Sequence, residues 1–428
     1  MPSTTAAARW RTDFRYIWSG ETASLFGTQI LQLAMPLTAI TYLHATPGQL
    51  GVLGAVTYLP FLILGLPAGV FVDRWRRRPI LVASNLGQMA GIGAVPVLAA
   101  LGLLTFPLLL TAALVAGFFR VFFTIAYRSY LPVVVPTEQL TYANSRLTAS
   151  ESAAQIAGPG LGGLLIQAIG AQYALVADAV SYLASALSNA AVRRREPVKP
   201  RDPTPARTLI ADGFRSTLKN PYLRAFAGEA ASYNLFWQAV LTLLALFAVR
   251  DLGMTPGTLG IAISIGAVGA LLGAVATERV ANRVGLGRTL VAAVIIGDIA
   301  PIAVPFTPSG TWAPVVLAAA FFIQGIGITG CNVHTMVIRQ TVTPDHLRGR
   351  TNATYLFLAY GIIPVGAVLG GWLGDTIGLR GALAVSTIGL FCTCLFIIFS
   401  PARRLRSLQQ LVDATPPDAR EQTPATSR

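Results

Sequence analysis

The chain has 428 residues, 54% of them hydrophobic and only 12% charged, with a mean hydropathy of +0.61. An average soluble domain carries about a quarter charged residues, so there is too little charge here to coat a water-soluble surface. The formal charge of +14 does not point to nucleic acid, because the arginines sit in short segments beside apolar runs and form no patch of their own.

Residues 1–15 are polar, and the apolar stretch behind them is too long for the core of a cleavable signal, so it reads as a first membrane span. Similar runs recur at about 15–43, 49–72, 79–101, 106–131, 146–169, 171–192, 222–249, 256–280, 288–306, 311–338, 351–374 and 378–400. At about 1.5 Å per residue these runs are long enough to cross a hydrocarbon core of about 30 Å. A soluble helix would place a polar residue at every third or fourth position, which these runs do not. An all-α membrane protein of about twelve transmembrane helices is expected.

The connecting loops alternate in character. One set carries Arg9, Arg11 and Arg15, then Arg76, Arg77 and Arg78, then Arg193, Arg194 and Arg195, and later Arg283, Arg288, Arg348, Arg350, Arg403 and Arg404. The other set is short and uncharged or balanced in sign, as Arg250 with Asp251. Positive loops stay inside, so both termini are expected in the cytoplasm of a multi-pass inner (cell) membrane protein. The stretch 193–221, rich in Pro and Arg, divides the spans into a half at 1–192 and a half at 222–400. Within it, 207–218 has apolar residues near helical spacing and reads as a short amphipathic surface helix. Residues 401–428 form a polar cytoplasmic tail, expected to lack structure after Arg406.

The halves repeat one another. Gly20, Glu21 and Ser24 recur as Gly228, Glu229 and Ser232 (229 − 21 = 208), and Thr46, Pro47, Gly48 and Gly51 recur as Thr255, Pro256, Gly257 and Gly260 (255 − 46 = 209). Pro136, Asn144, Gly158, Gly162, Gly163 and Gly170 recur at 208 as Pro344, Asn352, Gly366, Gly370, Gly371 and Gly378. Self-similarity at a fixed offset marks a duplication. Two pseudo-symmetric six-helix halves place a substrate site at their interface near the bilayer midplane.

After the second span comes Gly69-Val-Phe-Val-Asp73-Arg74-Trp75-Arg76-Arg77-Arg78, which resembles the loop signature of the major facilitator superfamily. The resemblance implies a gate built from Gly69, Asp73, Arg74, Arg77 and Arg78, in which the glycine permits close helix approach and the acid pairs with arginines or a helix end. The repeat mates of Asp73 and Arg74 are Asn282 and Arg283, so the second copy lacks the acid. In the fifth span, Gly158-Pro159-Gly160-Leu161-Gly162-Gly163 resembles the core of the antiporter signature of proton-driven exporters, with Ala154 where that pattern has a glycine. The segments 126–163 and 332–378, including Pro344-Asp345-His346-Leu347-Arg348, are similar to the branch containing macrolide-efflux and enterobactin-exporter proteins. In that branch the positions of Asn85, Gln88 and Thr124 commonly carry charge, and here they are neutral.

Ionisable side chains inside a membrane span are costly and mark functional sites. Glu21 and Glu229 lie about two turns inside spans one and seven, which line the cavity from opposite halves in the resembled fold, so these repeat mates are the proton-coupling candidates. A hydrogen bond to Ser24 or Ser232 is the alternative role. Arg120, Gln324, Asn332 and His334 are candidate cavity contacts, with Arg120 placed to meet an acid or an anionic substrate group. Asp178, Asp298 and Glu151 read as structural acids. Aromatic residues on spans four, seven, ten and eleven suit a large amphipathic substrate.

No phosphate-binding Gly-Lys-Ser or Gly-Lys-Thr occurs, since Lys199 precedes Pro and Lys219 precedes Asn, which excludes an ATP-driven pump. Cys331, Cys392 and Cys394 have no metal-ligand spacing, and no nucleophile-base cluster is visible, so no metal, cofactor or enzyme activity is expected. The expected function is proton-coupled efflux of drugs or secondary metabolites by alternating access in a monomer, with a small amphipathic molecule, protons and the lipid bilayer as partners. A siderophore exporter, a lysolipid flippase or an importer of the same fold is the alternative.

Overall fold

The computed structural model describes residues 4–192, 206–344 and 347–413. Its helices are α1 Thr4–Thr41, α2 Pro47–Arg74, α3 Arg77–Ala100, α4 Phe106–Val134, α5 Leu140–Ile169, α6 Ala171–Ala191, α7 Ala206–Lys219, α8 Pro221–Arg250, α9 Pro256–Val284 and α10 Leu286–Ile299. Then come α11 Ala313–Val342, α12 Arg348–Gly361, α13 Ile363–Cys392, α14 Cys394–Ile398 and α15 Gln409–Asp413. A 3-10 turn, Ala300–Phe306, carries α10 onward. There is no strand among the described residues.

Among the described residues, ten helical stretches are long and apolar enough to cross a bilayer. One of them, Arg348–Ile398, holds two crossings because the chain turns at Gly378, whose φ of 77° suits a residue without a Cβ. Helix α5 falls below that hydropathy because Asn144, Arg146, Glu151 and Gln155 interrupt it, yet it runs its full length beside α1 and α9. The chain therefore makes about twelve crossings in all.

Local sequence sets the helix starts. Thr46 opens α2 with a reciprocal capping box to Gln49, and its repeat mate Thr255 accepts from the Thr258 N–H at the start of α9. Each is followed by a proline, whose missing N–H costs nothing in a first turn. The backbone repeats as the sequence does: His44 and Gly253 (253 − 44 = 209), Gly102 and Gly310 (310 − 102 = 208) and Gly170 and Gly378 (378 − 170 = 208) all have positive φ.

Helices α1 to α6 pack among themselves, chiefly α1 on α6 and α5 and α3 on α4 and α6. Helices α8 to α13 do likewise, with α9 on α11, α8 on α13 and α10 on α11. The two groups meet where α5 crosses α9 and α2 crosses α13. Both crossings lie at the face opposite the chain termini and are made by small residues. A Cβ at Gly371 would stand 2.7 Å from the Pro47 carbonyl oxygen and 2.9 Å from Gly51 Cα. At the related crossing Gly163 faces the Pro256 carbonyl and Gly260 faces the Pro159 carbonyl. Glycine there brings the backbones into direct contact.

Helix α7 lies against α12, with Phe214 and Phe357 rings 6.3 Å apart and Thr351 donating to Ser216 Oγ at 3.2 Å. Residues 401–413 are more ordered than their polarity suggests. Leu405 and Leu411 are buried beside Leu286 and Leu290, and the Gly287 N–H donates to the Leu405 carbonyl at 2.7 Å. These two leucines fold residues 401–413 back onto the start of α10. Residues 193–205, Asp345, His346 and 414–428 lie outside the described residues.

Candidate functional site

A cavity of about 420 Å³ lies between the two groups of helices, beneath the glycine crossings. Helices α1, α2 and α4 supply most of one wall, and α8 and α9 supply the other. The wall is apolar, as in Leu33, Leu53, Ile92, Leu241 and Ile263, with amides at Gln29, Gln32, Gln88 and Gln238, hydroxyls at Thr57, Tyr58, Tyr182 and Thr242, and one cation, Arg120. Gln29 and Gln32 on α1 and Gln238 and Leu241 on α8 line the cavity from opposite sides.

Arg120 sits mid-way along α4, exposed in this cavity, and among the described residues its guanidinium has no hydrogen-bond or ion-pair partner. It acts through space on Glu21 and Asp178. Glu21 is half-buried on α1, with Oε2 sealed from solvent and unpartnered, and it also faces the charge of Glu151 on α5. Asp178 on α6 is fully buried: Ser181 Oγ lies 3.4 Å from Oδ1 while donating to the Asp178 carbonyl, and Oδ2 has no partner. Gly27 on α1 leaves room for that carboxylate.

The second group of helices holds its own polar cluster. Glu229 on α8 is 5% exposed and makes no hydrogen bond or ion pair among the described residues. One turn on, Tyr233 accepts from Gln324 Nε2 at 2.6 Å and stacks on Trp237. His334 is buried with Nε2 2.8 Å from Thr277 Oγ1, and Asn332 is exposed on α11. Glu229 interacts with Asp298. No hydrogen bond or ion pair among the described residues joins Glu21 to Glu229, and neither bonds to Ser24 or Ser232.

Of the four candidate cavity contacts, Arg120 lines the cavity, whereas Gln324, Asn332 and His334 are outside its wall. The aromatic lining also differs from the expected set, consisting of Tyr58 and Tyr182. Tyr233, Trp237 and Phe321 instead pack on one another, because their stacking satisfies the rings inside the second group. The cavity amides were missed by sequence reasoning. Their signal is a glutamine in mid-span, as at Gln29 and Gln238.

Residues 17–364 match the family profile described as Major Facilitator Superfamily. The chain belongs to the Major Facilitator Superfamily. Multidrug efflux pump Tap of Mycolicibacterium fortuitum is 28% identical over 361 residues, covering 82% of this chain and 86% of that protein. Macrolide efflux protein A of Streptococcus pyogenes is 23% identical over 406 residues, covering 93% and 98%. Among solved structures, a bacterial homologue of the iron transporter ferroportin in an inward-facing state superposes with a TM-score of 0.74 at 18% identity, covering 90% of this chain and 98% of that one. That likeness shows the fold. The protein is therefore a multi-pass membrane transporter of the superfamily, and not an enzyme.

The superfamily's loop signature closes α2 and opens α3. Gly69, Asp73 and Arg74 lie in the last turns of α2, and the side-chain surroundings at these three positions are outside what the structure describes. Arg77 is buried, with Nε 3.3 Å from Ser129 Oγ on α4, and Arg78 donates to the Asn189 and Ala190 carbonyls. A cation on the last carbonyls of α6 neutralises that helix end and ties it to α3. The helix-five motif has two contact faces. Gly158 and Gly162 take Gln29 and Ile30 of α1, while Gly163 takes α9. The Gly160 N–H, next to Pro159, donates across the interface to Ser264 Oγ at 2.9 Å.

Proposed function

We propose that this transporter exports small amphipathic molecules, drugs or secondary metabolites, in exchange for protons. The observation that carries this reading is the cavity between the halves, apolar with a few amides, sealed at one face by the two repeat-related glycine crossings and bordered by buried acids. Apolar walls with few oriented polar groups suit amphipathic ligands of varied shape. The names carried by the relatives, a multidrug efflux pump and a macrolide efflux protein, agree with that choice.

The arginine-rich loops assign the terminus-bearing face to the cytoplasm. The sealed face is then the outer one, and transport proceeds by parting the glycine crossings while the opposite ends of the halves, 1–192 and 222–400, close. Arg77 and Arg78 fix the loop signature to its own half, so the loop moves as part of that half. Glu21, with a sealed and unpartnered oxygen in the field of Arg120, is the proton carrier in this reading.

Everted membrane vesicles with an imposed pH gradient test this. Gradient-driven accumulation of ethidium or erythromycin is expected, and dissipation of the gradient abolishes it. Accumulation of a siderophore or lysolipid with no drug transported, or transport indifferent to the gradient, overturns it. A C-terminal fluorescent fusion is expected to fluoresce, and a C-terminal alkaline phosphatase fusion to be inactive.

A further inference from the structure

Asp298 is not part of the cavity wall and is wholly buried at the last turn of α10, where the span passes from α-helix into the 3-10 turn at Ala300. Its Oδ2 accepts from Thr393 Oγ1 at 2.9 Å, and its Oδ1 is sealed from solvent with no donor. Thr393 is itself the residue between α13 and α14, where the last span is interrupted. One hydrogen bond thus joins two membrane helices at the point where each breaks. Breaks of this kind free backbone groups and occur in transporters where ions bind.

Glu229 is the second acid of this cluster. It is 95% withdrawn from solvent by its 5% exposure, makes no hydrogen bond or ion pair among the described residues, and has neither oxygen fully sealed. Both acids act through space on Tyr233 of α8 and Cys331 of α11, Asp298 also on Cys394 of α14 and Glu229 on Tyr355 of α12. None is a cation. Arg339 is engaged elsewhere, stacked 3.4 Å over the Tyr355 ring and bonded to Asn352. Two carboxylates in an apolar interior without a cation cannot both stay ionised at low cost, and one bound proton removes the conflict.

We propose that Asp298, Thr393 and Glu229 form a second proton-binding site within the 222–400 half, separate from the substrate cavity. The inference rests on the proton-coupled reading above and adds to it a site that both acids share. Glu229 exchanges the proton with water, and Asp298 holds it as a neutral acid whose remaining oxygen keeps the Thr393 bond. Binding costs the site one ionised carboxylate, and release restores it. Because the bond bridges two helix breaks, charging Asp298 loads the joint between α10 and α13.

Infrared spectra of the purified protein between acid and alkaline buffer read the site without any transported molecule. The wild type is expected to show a carboxylic-acid C=O band that Asp298→Asn deletes, Glu229→Gln shifts, and Thr393→Val moves to higher frequency by removing its hydrogen bond. In everted vesicles Asp298→Asn is expected to lower gradient-driven ethidium accumulation by about tenfold or more while leaving gradient-free ethidium exchange within about twofold. If Asp298→Asn is not recovered folded, the Thr393→Val band shift decides. An unchanged band in both variants overturns the site even where the wild type couples ethidium to protons. Should the wild type accumulate no ethidium, the coupled reading falls for that probe, while the band still decides the site.

Discussion

Arg120 is the residue on which the cavity's chemistry turns. Its guanidinium, in mid-span and without a hydrogen bond among the described residues, lies in the fields of Glu21 and Asp178. Arg120→Ala is expected to lower transport by more than about tenfold, with Arg120→Lys retaining part of it, since the charge survives but the planar fork does not. Glu21→Gln is expected to uncouple transport from the gradient while preserving exchange, measured in the same vesicles. The cavity amides act on selection. Gln29→Leu or Gln238→Leu removes one polar contact from an apolar wall and is expected to change relative efflux between two substrates by about 1–2 kcal/mol, read as a change in the ratio of minimum inhibitory concentrations, with expression unchanged. Arg120 was legible in the sequence because a charge in an apolar run is conspicuous. Gln29 and Gln238 were not, since a mid-span glutamine looks alike whether it faces a cavity or a neighbouring helix.

At the scale of elements, α5 shows what a helix gives up to make an interface. Pro159 lacks the N–H that would bond within the helix, and the next N–H, from Gly160, goes to Ser264 on α9. Ser264→Ala is expected to reduce stability by about 1 kcal/mol, seen as a lower unfolding temperature in detergent. Pro159→Leu is expected to stiffen α5 and slow transport, because a regular helix parts less readily at this crossing. The helices themselves were plain in the sequence from apolar run length. The order in the tail was not, because two leucines at 405 and 411 in a polar segment show no period. Nor was the placement of Tyr233 and Trp237, where stacking inside one half competes with facing the cavity, and composition cannot weigh the two.

For the whole molecule, the repeat turns into a statement about motion. The crossings at Gly163 and at Gly371 are the same contact made twice, and each half packs as a unit behind it. If the halves move as rigid bodies, neither crossing can part without the other. A Cβ at either glycine meets backbone, not a flexible side chain, so Gly163→Ala and Gly371→Ala each disfavour the sealed state by about 1–2 kcal/mol, roughly a tenfold shift in the equilibrium. Leu53, which is buried on the cavity wall beneath the α2–α13 crossing, reports the opening when replaced by cysteine in a background without Cys331, Cys392 and Cys394. The labelling rate of Leu53→Cys by an impermeant maleimide from the sealed face is expected to rise about tenfold with either glycine variant and about a hundredfold with both, since two perturbations of one equilibrium add in free energy. A response to Gly371→Ala alone, the neighbouring crossing, would mean that the crossings breathe separately and that the halves are not rigid.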